Sequence, residues 1–180
     1  MAGLKVATYL GELVRNLEPD VIETYETKPV FEQAAQYPDL PKVGYIHMLQ
    51  SQGLLHDTYY YGVDAKQIVP TEIMDGAIVS GNCVAPCDKV TTYHHFHNPV
   101  IDECYKHHGK DINFMGVILT NENVFLADKE RHSDMVAKFC EWLQLDGVLI
   151  TEEGYGNPDT DLMMNCKKVE RVGTKVCLIT

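Results

Sequence analysis

The sequence predicts an α/β domain with a mainly parallel sheet and helices on both faces, that is, a three-layer, doubly wound fold. Apolar runs rich in β-branched residues alternate with helical patterns at intervals of roughly 30 to 35 residues, which is typical of strand–helix–strand units. The chain has 180 residues, of which 45% are hydrophobic. A chain of this size can bury one sizeable core, so we expect a single α/β domain.

Five apolar runs are the predicted strands. They cover residues 43–48, 76–79, 114–119, 147–150 and 175–179. Because strands that alternate with helices are joined by right-handed crossovers, these runs are expected to lie parallel in one sheet.

Two helices between these strands have recognisable ends. Asn98 and Pro99 supply an N-cap and a proline at the first helical position, and Gly109 ends that helix. By the same logic, Asn157 and Pro158 begin another helix. The longest helix is predicted over residues 129–145, with a buried face that carries Met135, Phe139, Trp142 and Leu143.

The chain divides into two parts at about residue 41. Residues 1–41 are predicted to form a helical segment, with helices over 4–14 and 30–36 and with prolines that break the pattern. We interpret this segment as the remnant of a larger region. Residues 42–180 form the predicted α/β domain, which stops directly after a strand and is expected to be truncated at its C-terminal end.

Charge and composition exclude several classes of function. The formal net charge is −11 and the pI is about 5.0, and the clustered Lys and Arg that nucleic acids require are lacking. No signal peptide and no apolar run of roughly 20 residues is found, so no membrane span and a cytoplasmic location are expected. The six cysteines are interpreted mainly as reduced thiols.

Polar loops follow four of the predicted strands. In open parallel sheets, ligands collect beyond the carboxyl ends of the strands, so these loops are expected to share one site. Gly154 and Gly156, just before a helix start, could direct backbone N–H groups at an anion such as a substrate carboxylate. The candidate substrate-binding residues are Gln52, Ser80, Asn121, Asn123, Glu153, Gly154, Gly156 and Asn157.

Cys83 lies in a glycine-containing turn after a predicted strand, where a thiol is exposed as a nucleophile rather than packed in the core. One further chemistry is open to an Asn-Cys peptide in a constrained loop, although composition and spacing alone do not predict it. The thiol can attack the carbonyl of Asn82, form a thioester and then lose the acyl group by elimination. The new N-terminal residue becomes a pyruvoyl group, whose electrophilic carbonyl engages amines. A structural role for Cys83 is the alternative.

Several segments resemble the protein B proprotein of the glycine, sarcosine and betaine reductases, and the resemblance covers nearly the whole chain. The matching motifs are YETKP (25–29), YPDLPKVGY (37–45), QGLLHDTY (52–59), MDGAIVSGNC (74–83), NENV (121–124), LADK (126–129), EGYGNPDTDL (153–162) and NCKK (165–168).

The resemblance implies a proprotein that is cleaved before a cysteine, so that the second subunit begins with a pyruvoyl group. Asn82 and Cys83 match that junction, and Cys87 is the competing cysteine. The substrate would be a small amino acid, and the implied partners are the selenocysteine-containing protein A, the other protein B subunit and protein C downstream. His56 and Asp57, within one of the matching motifs, could act as a proton relay or be structural.

Two other classes of function stay open. Cys83 and Cys87, together with His94, His95 and His97, contain enough ligands for a zinc or iron site, although their spacing is not that of a closed zinc ribbon. Alternatively, the chain is a non-catalytic docking module for the partner proteins.

Overall fold

The computed structural model describes residues 2–51, 58–60, 66–68, 70–80 and 90–179, with only the backbone described for residues 4, 59 and 66–68. Its strands are β1 (Lys42–Gln50), β2 (Thr58–Tyr59), β3 (Lys66–Ile68), β4 (Val79–Ser80), β5 (Asn113–Glu122), β6 (Gly147–Thr151) and β7 (Lys175–Ile179). Its helices are α1 (Ala2–Val14), α2 (Val30–Gln36), α3 (Pro70–Met74), α4 (Thr92–Phe96), α5 (Pro99–His107), α6 (Leu126–Trp142) and α7 (Asn157–Arg171).

The main sheet has the strand order β3-β5-β1-β6-β7. β5, β1, β6 and β7 are parallel, and β3 is an antiparallel edge strand on β5. The chain runs from β1 to β5 on one side, then passes back across β1 to β6 and β7. This reversal between β1 and β6 is the point at which open α/β sheets bind their ligands.

Helices cover both faces of the sheet, as the sequence predicts. Alternate side chains of β1 point to opposite faces: Ile46 and Met48 belong to one core cluster, which α6 and α7 complete. Tyr45 and Leu49 belong to a second cluster, to which α3 and α5 contribute. The predicted α/β fold with a mainly parallel sheet is therefore confirmed.

The predicted strand at residues 76–78 is wrong. Gly76 has φ +91° and ends α3, because its N–H bonds back to the carbonyl of Ile73. Ala77 and Ile78 are buried against the sheet without joining it. Only Val79 and Ser80 form a strand, and they pair antiparallel with Thr58–Tyr59 in a separate two-stranded sheet.

The longest helix, α6, begins three residues earlier than predicted and ends at Trp142 rather than Leu145. The helix stops because Gln144 adopts a left-handed conformation, with φ 52°. The face most deeply buried carries Val136, Ala137 and Cys140. The prediction that Trp142 lies in the core is wrong, since 63% of it is exposed.

The two predicted helix starts differ in outcome. The side chain of Asn98 caps α5 by accepting hydrogen bonds from the N–H groups of Val100 (2.9 Å) and Ile101 (3.3 Å), as predicted. For α7, the N-cap is Gly156. Asn157 is already helical, and its side chain donates to a carbonyl of the loop after β5 instead.

The predicted helices of the N-terminal segment are present as α1 and α2. Helix α2 contacts the sheet, since Gln33 is buried and its side chain donates to the carbonyl of Phe114 over 3.0 Å. Four cysteines lie in the described ranges, at positions 104, 140, 166 and 177, and all four are free thiols, as expected. Within those ranges, no helix combines the length and the apolar character that a membrane crossing requires.

Candidate active site at the carboxyl ends of β1, β5 and β6

Three strands end side by side at the point where the sheet order reverses. In the sheet register, Gln50 at the end of β1 is the partner of Glu122 at the end of β5. On the other side of β1, His47 is the partner of Thr151 at the end of β6. The polar loops after these three strands therefore begin at one edge, as the sequence predicts.

Glu122 is a fully buried carboxyl group at this edge. Its Oε1 accepts hydrogen bonds from the N–H groups of Glu153 (2.8 Å) and Gly154 (3.2 Å). Its Oε2 has no hydrogen-bond partner among the described residues. Burial raises the pKa of Glu122 to about 7, and the two N–H donors only partly oppose that effect.

Gly154 is required by this arrangement. A Cβ atom at position 154 would lie 2.9 Å from Oε2 of Glu122 and 3.0 Å from Cγ of Pro158. The loop can thus approach the carboxyl group only where it has no side chain. The N–H of Gly154 does face a carboxyl group, as the sequence suggested, but the carboxyl group belongs to the protein itself.

Glu153 is the second buried carboxyl group, and it gathers three donors. Its Oε2 accepts from the backbone N–H of Gln50 and from the hydroxyl of Thr58, both over 2.7 Å. Its Oε1 lies 3.3 Å from Nε2 of His95. Thr58 pairs with Ser80 in the small sheet, so Glu153 also connects the end of β4 to this edge.

Two histidines continue the line of contacts away from Glu153. Nδ1 of His95 is 3.1 Å from Nε2 of His47. Nδ1 of His47 is 2.9 Å from the hydroxyl of Tyr45 and 3.0 Å from that of Thr151. Burial, together with the neighbouring His95, holds the pKa of His47 well below its usual value, so this imidazole is neutral. Burial also raises the pKa of Tyr45 to about 12.

A buried ion pair braces the loop after β5. Lys129 of α6 contacts Asp161 of α7, and the Lys129 ammonium also donates to the carbonyl of Asn157. Oδ1 of Asp161 accepts from the backbone N–H (3.2 Å) and the side chain (3.1 Å) of Asn123. Asn123 also contacts His132. The ion pair therefore fixes both the Asn123 loop and the start of α7.

The predicted substrate-binding residues lie in different settings. Glu153 and Gly154 are buried at the edge, and Asn121 is buried with an amide oxygen that meets no hydrogen-bond partner in the described ranges. Asn123 is engaged by Asp161, while Asn157 and Gly156 are exposed at the start of α7. Ser80 is half-buried, and its N–H donates to the hydroxyl of Thr92 over 2.9 Å. Residues outside the described ranges are Gln52, His56, Asp57, Asn82, Cys83 and Cys87.

The histidines of the predicted metal cluster have different partners. His95 points to Glu153, His94 bonds to the Thr91 hydroxyl over 2.8 Å, and the ring of His97 stacks on Tyr93 at 4.3 Å. Among the residues that the structure describes, no group of three or more His, Cys, Asp or Glu could hold a metal ion.

Sequence reasoning missed His47, Thr58 and the Lys129–Asp161 pair as parts of this region. Glu122 lies within the NENV motif (121–124) but is not among the predicted site residues. One signal was present: an imidazole at position 47 interrupts an otherwise apolar run over residues 45–49, and a polar group inside a buried strand needs a partner.

An open α/β sheet with buried carboxyl and imidazole groups at its reversal point defines an enzyme-like domain. Comparison with known proteins identifies its family. The sequence matches the glycine/sarcosine/betaine reductase component B subunits over residues 1–180. The chain therefore belongs to this family, as the resemblance implied.

Three relatives illustrate the match. The sarcosine reductase complex component B subunit alpha of Peptoclostridium acidaminophilum is 71% identical over 100% of this chain and 43% of that protein. The glycine reductase complex component B subunits alpha and beta of Acetoanaerobium sticklandii are 62% identical with the same coverage. The D-proline reductase proprotein of A. sticklandii is 25% identical, over 98% of this chain and 30% of the relative.

The chain thus spans less than half the length of these relatives. No solved structure matches it.

Proposed function

We propose that this chain is the substrate-binding part of component B of a selenium-dependent amino-acid reductase, and that it is cleaved between Asn82 and Cys83 to leave a pyruvoyl group. Family membership supports the reductase class. One 62% identical relative is named as two subunits, alpha and beta, and a more distant one is named a proprotein. Both names agree with a precursor that yields two chains.

The observation that carries this proposal is the contact between Ser80, Thr58 and Glu153. Ser80 precedes Cys83 by three residues and pairs with Thr58. The hydroxyl of Thr58 donates to Glu153, which His95 also contacts. Ser80, the described residue nearest to the junction in sequence, is therefore connected through Thr58 to a buried carboxyl group and an imidazole. Proton transfer during cleavage requires groups of these kinds.

The same residues fit a pyruvoyl group chemically. When formed, the group supplies an electrophilic carbonyl that engages the substrate amine and draws electrons from it. Such a carbonyl is neutral and needs hydrogen-bond donors and few competing nucleophiles. The Thr58 hydroxyl can rotate to donate to such a carbonyl. The described cysteines nearest in sequence, Cys104 and Cys140, are buried thiols whose pKa burial raises to about 12.

The substrate would bind at the edge formed by the loops after β5 and β6. Asn121 offers a buried amide oxygen without a partner among the described residues, and such an acceptor suits an N–H group of the substrate. Asn123, with the Gly154–Asn157 loop, would orient the remainder, because Asp161 and Glu122 hold both segments in fixed positions. Cys87 stays the competing cysteine for the junction. His56 and Asp57 stay candidates for a proton relay.

The partners follow from the resemblance to the family. We expect a selenocysteine-containing protein A to attack the bound substrate, the other component B subunit to complete the site, and protein C to release the acyl product. We expect the assembly to be cytoplasmic, and we expect this chain alone not to reduce glycine. Production of acetyl phosphate by the isolated chain would contradict that expectation.

Intact-protein mass spectrometry of freshly purified chain, with and without a carbonyl-reactive hydrazine, tests the cleavage. We expect two fragments that separate between Asn82 and Cys83, with the hydrazine on the second. Cys83→Ala should leave one unlabelled chain, whereas Cys87→Ala should behave like wild type. Cleavage that persists in Cys83→Ala but stops in Cys87→Ala would move the junction to Cys87. One intact, unlabelled wild-type chain would overturn the proposal.

Asn121→Ala tests the substrate edge separately. In the complete reductase complex we expect turnover of the amino-acid substrate to fall by roughly 5- to 150-fold, because leaving a buried donor of the substrate without its acceptor costs about 1–3 kcal/mol. Cleavage of the chain should be unaffected. Unchanged turnover would remove Asn121 from the site.

A further inference from the structure

One hydrogen-bonded line crosses the buried edge of the sheet from Tyr45 to Thr58. Its members are Tyr45 and Thr151, then His47, His95, Glu153 and Thr58, and each contact between neighbours is between 2.6 and 3.3 Å. The side chains of His95 and Glu153 are completely shielded from solvent. A line of this kind serves either to satisfy buried polar groups or to move protons.

We propose that Thr58, Glu153, His95 and His47 form a proton-accepting relay. The Thr58 hydroxyl is its entrance, Glu153 is its base, and His95 and His47 are positioning residues. The inference deepens the proposed function, on which it depends only for the identity of the group that loses the proton. By chemistry, that group is a thiol or a protonated amine that reaches the Thr58–Ser80 strand pair.

The direction of the hydrogen bonds follows from the donors available. A carboxylate has no proton to give, so the N–H of the pair must be on Nε2 of His95. Nδ1 of His95 is then an acceptor and takes the N–H from Nε2 of His47. Nδ1 of His47 in turn accepts from the hydroxyl of Tyr45 or Thr151. Every donor in the line therefore points towards Glu153.

This one-way arrangement has a chemical consequence for Glu153. Glu153 accepts hydrogen bonds from His95, Thr58 and the backbone N–H of Gln50. The lowered pKa of His47 agrees with a neutral His47 imidazole that donates from Nε2 and accepts at Nδ1. Glu153 therefore has a fixed orientation, and the Thr58 hydroxyl, which bonds to both of its oxygens, is placed to exchange a proton with it.

The transfer needs no oxidant, reductant or metal. The S–H or N–H bond of the incoming group breaks, and its electron pair stays on sulphur or nitrogen. The proton forms a new O–H bond on Thr58, while the original Thr58 proton forms an O–H bond on Glu153. The net change is one neutral carboxyl group and one thiolate or free amine, which are the nucleophilic forms.

The first test compares Thr58→Val and Thr58→Ser by following chain cleavage over time with intact-mass spectrometry. Valine keeps the shape but removes the hydroxyl, so we expect the cleavage rate to fall by roughly 10²–10⁴-fold. Serine restores the hydroxyl and should restore the rate to within a few-fold. Thr92→Val is the matched control, since the Thr92 hydroxyl binds the N–H of Ser80 outside the relay. Equal rates for Thr58→Val and Thr92→Val would overturn the relay.

The second test does not depend on cleavage. In nuclear magnetic resonance spectra of ¹⁵N-histidine-labelled chain, both His47 and His95 should carry an N–H on Nε2, with Nδ1 accepting a hydrogen bond. Glu153→Gln should shift the ring signals of His95 and also those of His47, two links away, but not those of exposed His94. Thr58→Val provides a milder variant should Glu153→Gln fail to fold. A His47 signal unmoved by either variant would refute the relay even if the chain is cleaved. Coupled shifts without wild-type cleavage would instead contradict only the proposed function.

Discussion

Replacing Glu122 by glutamine should remove a loss of stability that the wild-type chain suffers as the pH rises. The amide of glutamine keeps an oxygen that can accept the N–H groups of Glu153 and Gly154. It has no charge at any pH, whereas Glu122 is fully buried and has no cationic partner in the described part of the chain. The variant therefore resembles the protonated form of the wild-type side chain.

The size of the effect follows from the pKa of Glu122, which burial raises from 4.5 to about 7. Between these two values the folded state keeps a proton that the unfolded state has lost. The stabilisation is thus complete below about pH 4.5 and is lost as the pH rises through 7. One pKa unit corresponds to about 1.4 kcal/mol, so the full loss is about 3 kcal/mol.

Urea denaturation of the two chains at pH 4.5 and pH 8 measures this difference. We expect Glu122→Gln to match wild type at pH 4.5 to within about 1 kcal/mol and to exceed it by about 3 kcal/mol at pH 8. Glu141→Gln, on the exposed side of α6, is the control and should not change the pH dependence. If the free-energy difference between Glu122→Gln and wild type is the same at both pH values, Glu122 is not a neutral acid in the fold.

Two further substitutions test the supports of the site. Lys129→Met leaves the buried carboxylate of Asp161 without its cation, so we expect the free energy of unfolding to fall by about 3–5 kcal/mol. The control is Arg131→Met, which breaks an exposed ion pair on the same helix and should lower it by less than about 1 kcal/mol. Equal losses would show that the buried pair is not special. Gly154→Ala should cost about 1–3 kcal/mol through its contact with Glu122. Gly147→Ala, whose Cβ would meet its nearest neighbour at 3.7 Å, should cost less in the same urea denaturation experiment. The reverse order would contradict the packing argument.

The sequence predicted best those parts of the fold that have a long run of apolar residues or a local capping pattern. β1 and β5 contain apolar runs that are buried on both faces, and such runs are typical of parallel strands. β6 is a shorter apolar run with one face buried and the other half-buried. Asn98 predicted the start of α5 because capping is a local interaction between neighbouring residues. By contrast, β2 and β4 are two residues each, which is too short for any periodic pattern, and their pairing depends on contacts across 22 positions of the chain.

The candidate site was predicted in location but not in composition. The position of polar loops after β5 and β6 correctly indicated the edge of the sheet, because strand direction determines where loops emerge. The identity of the buried groups depends on tertiary contacts. His47 and Glu153 are 106 positions apart, and His95 contacts both of them. No local pattern distinguishes these residues from ordinary polar side chains.

The strand order has a consequence for the proposed cleavage of the chain. The proposed junction between Asn82 and Cys83 separates β1 from β5, β6 and β7 along the chain, yet β1 is hydrogen-bonded between β5 and β6 in the sheet. A cut at this junction would therefore leave the middle strand on one product and both of its neighbours on the other. The two products would share a single hydrophobic core, and neither could leave without unfolding its partner. Two subunits that separate under denaturing conditions would therefore be, in the folded protein, one domain with a single break in its backbone.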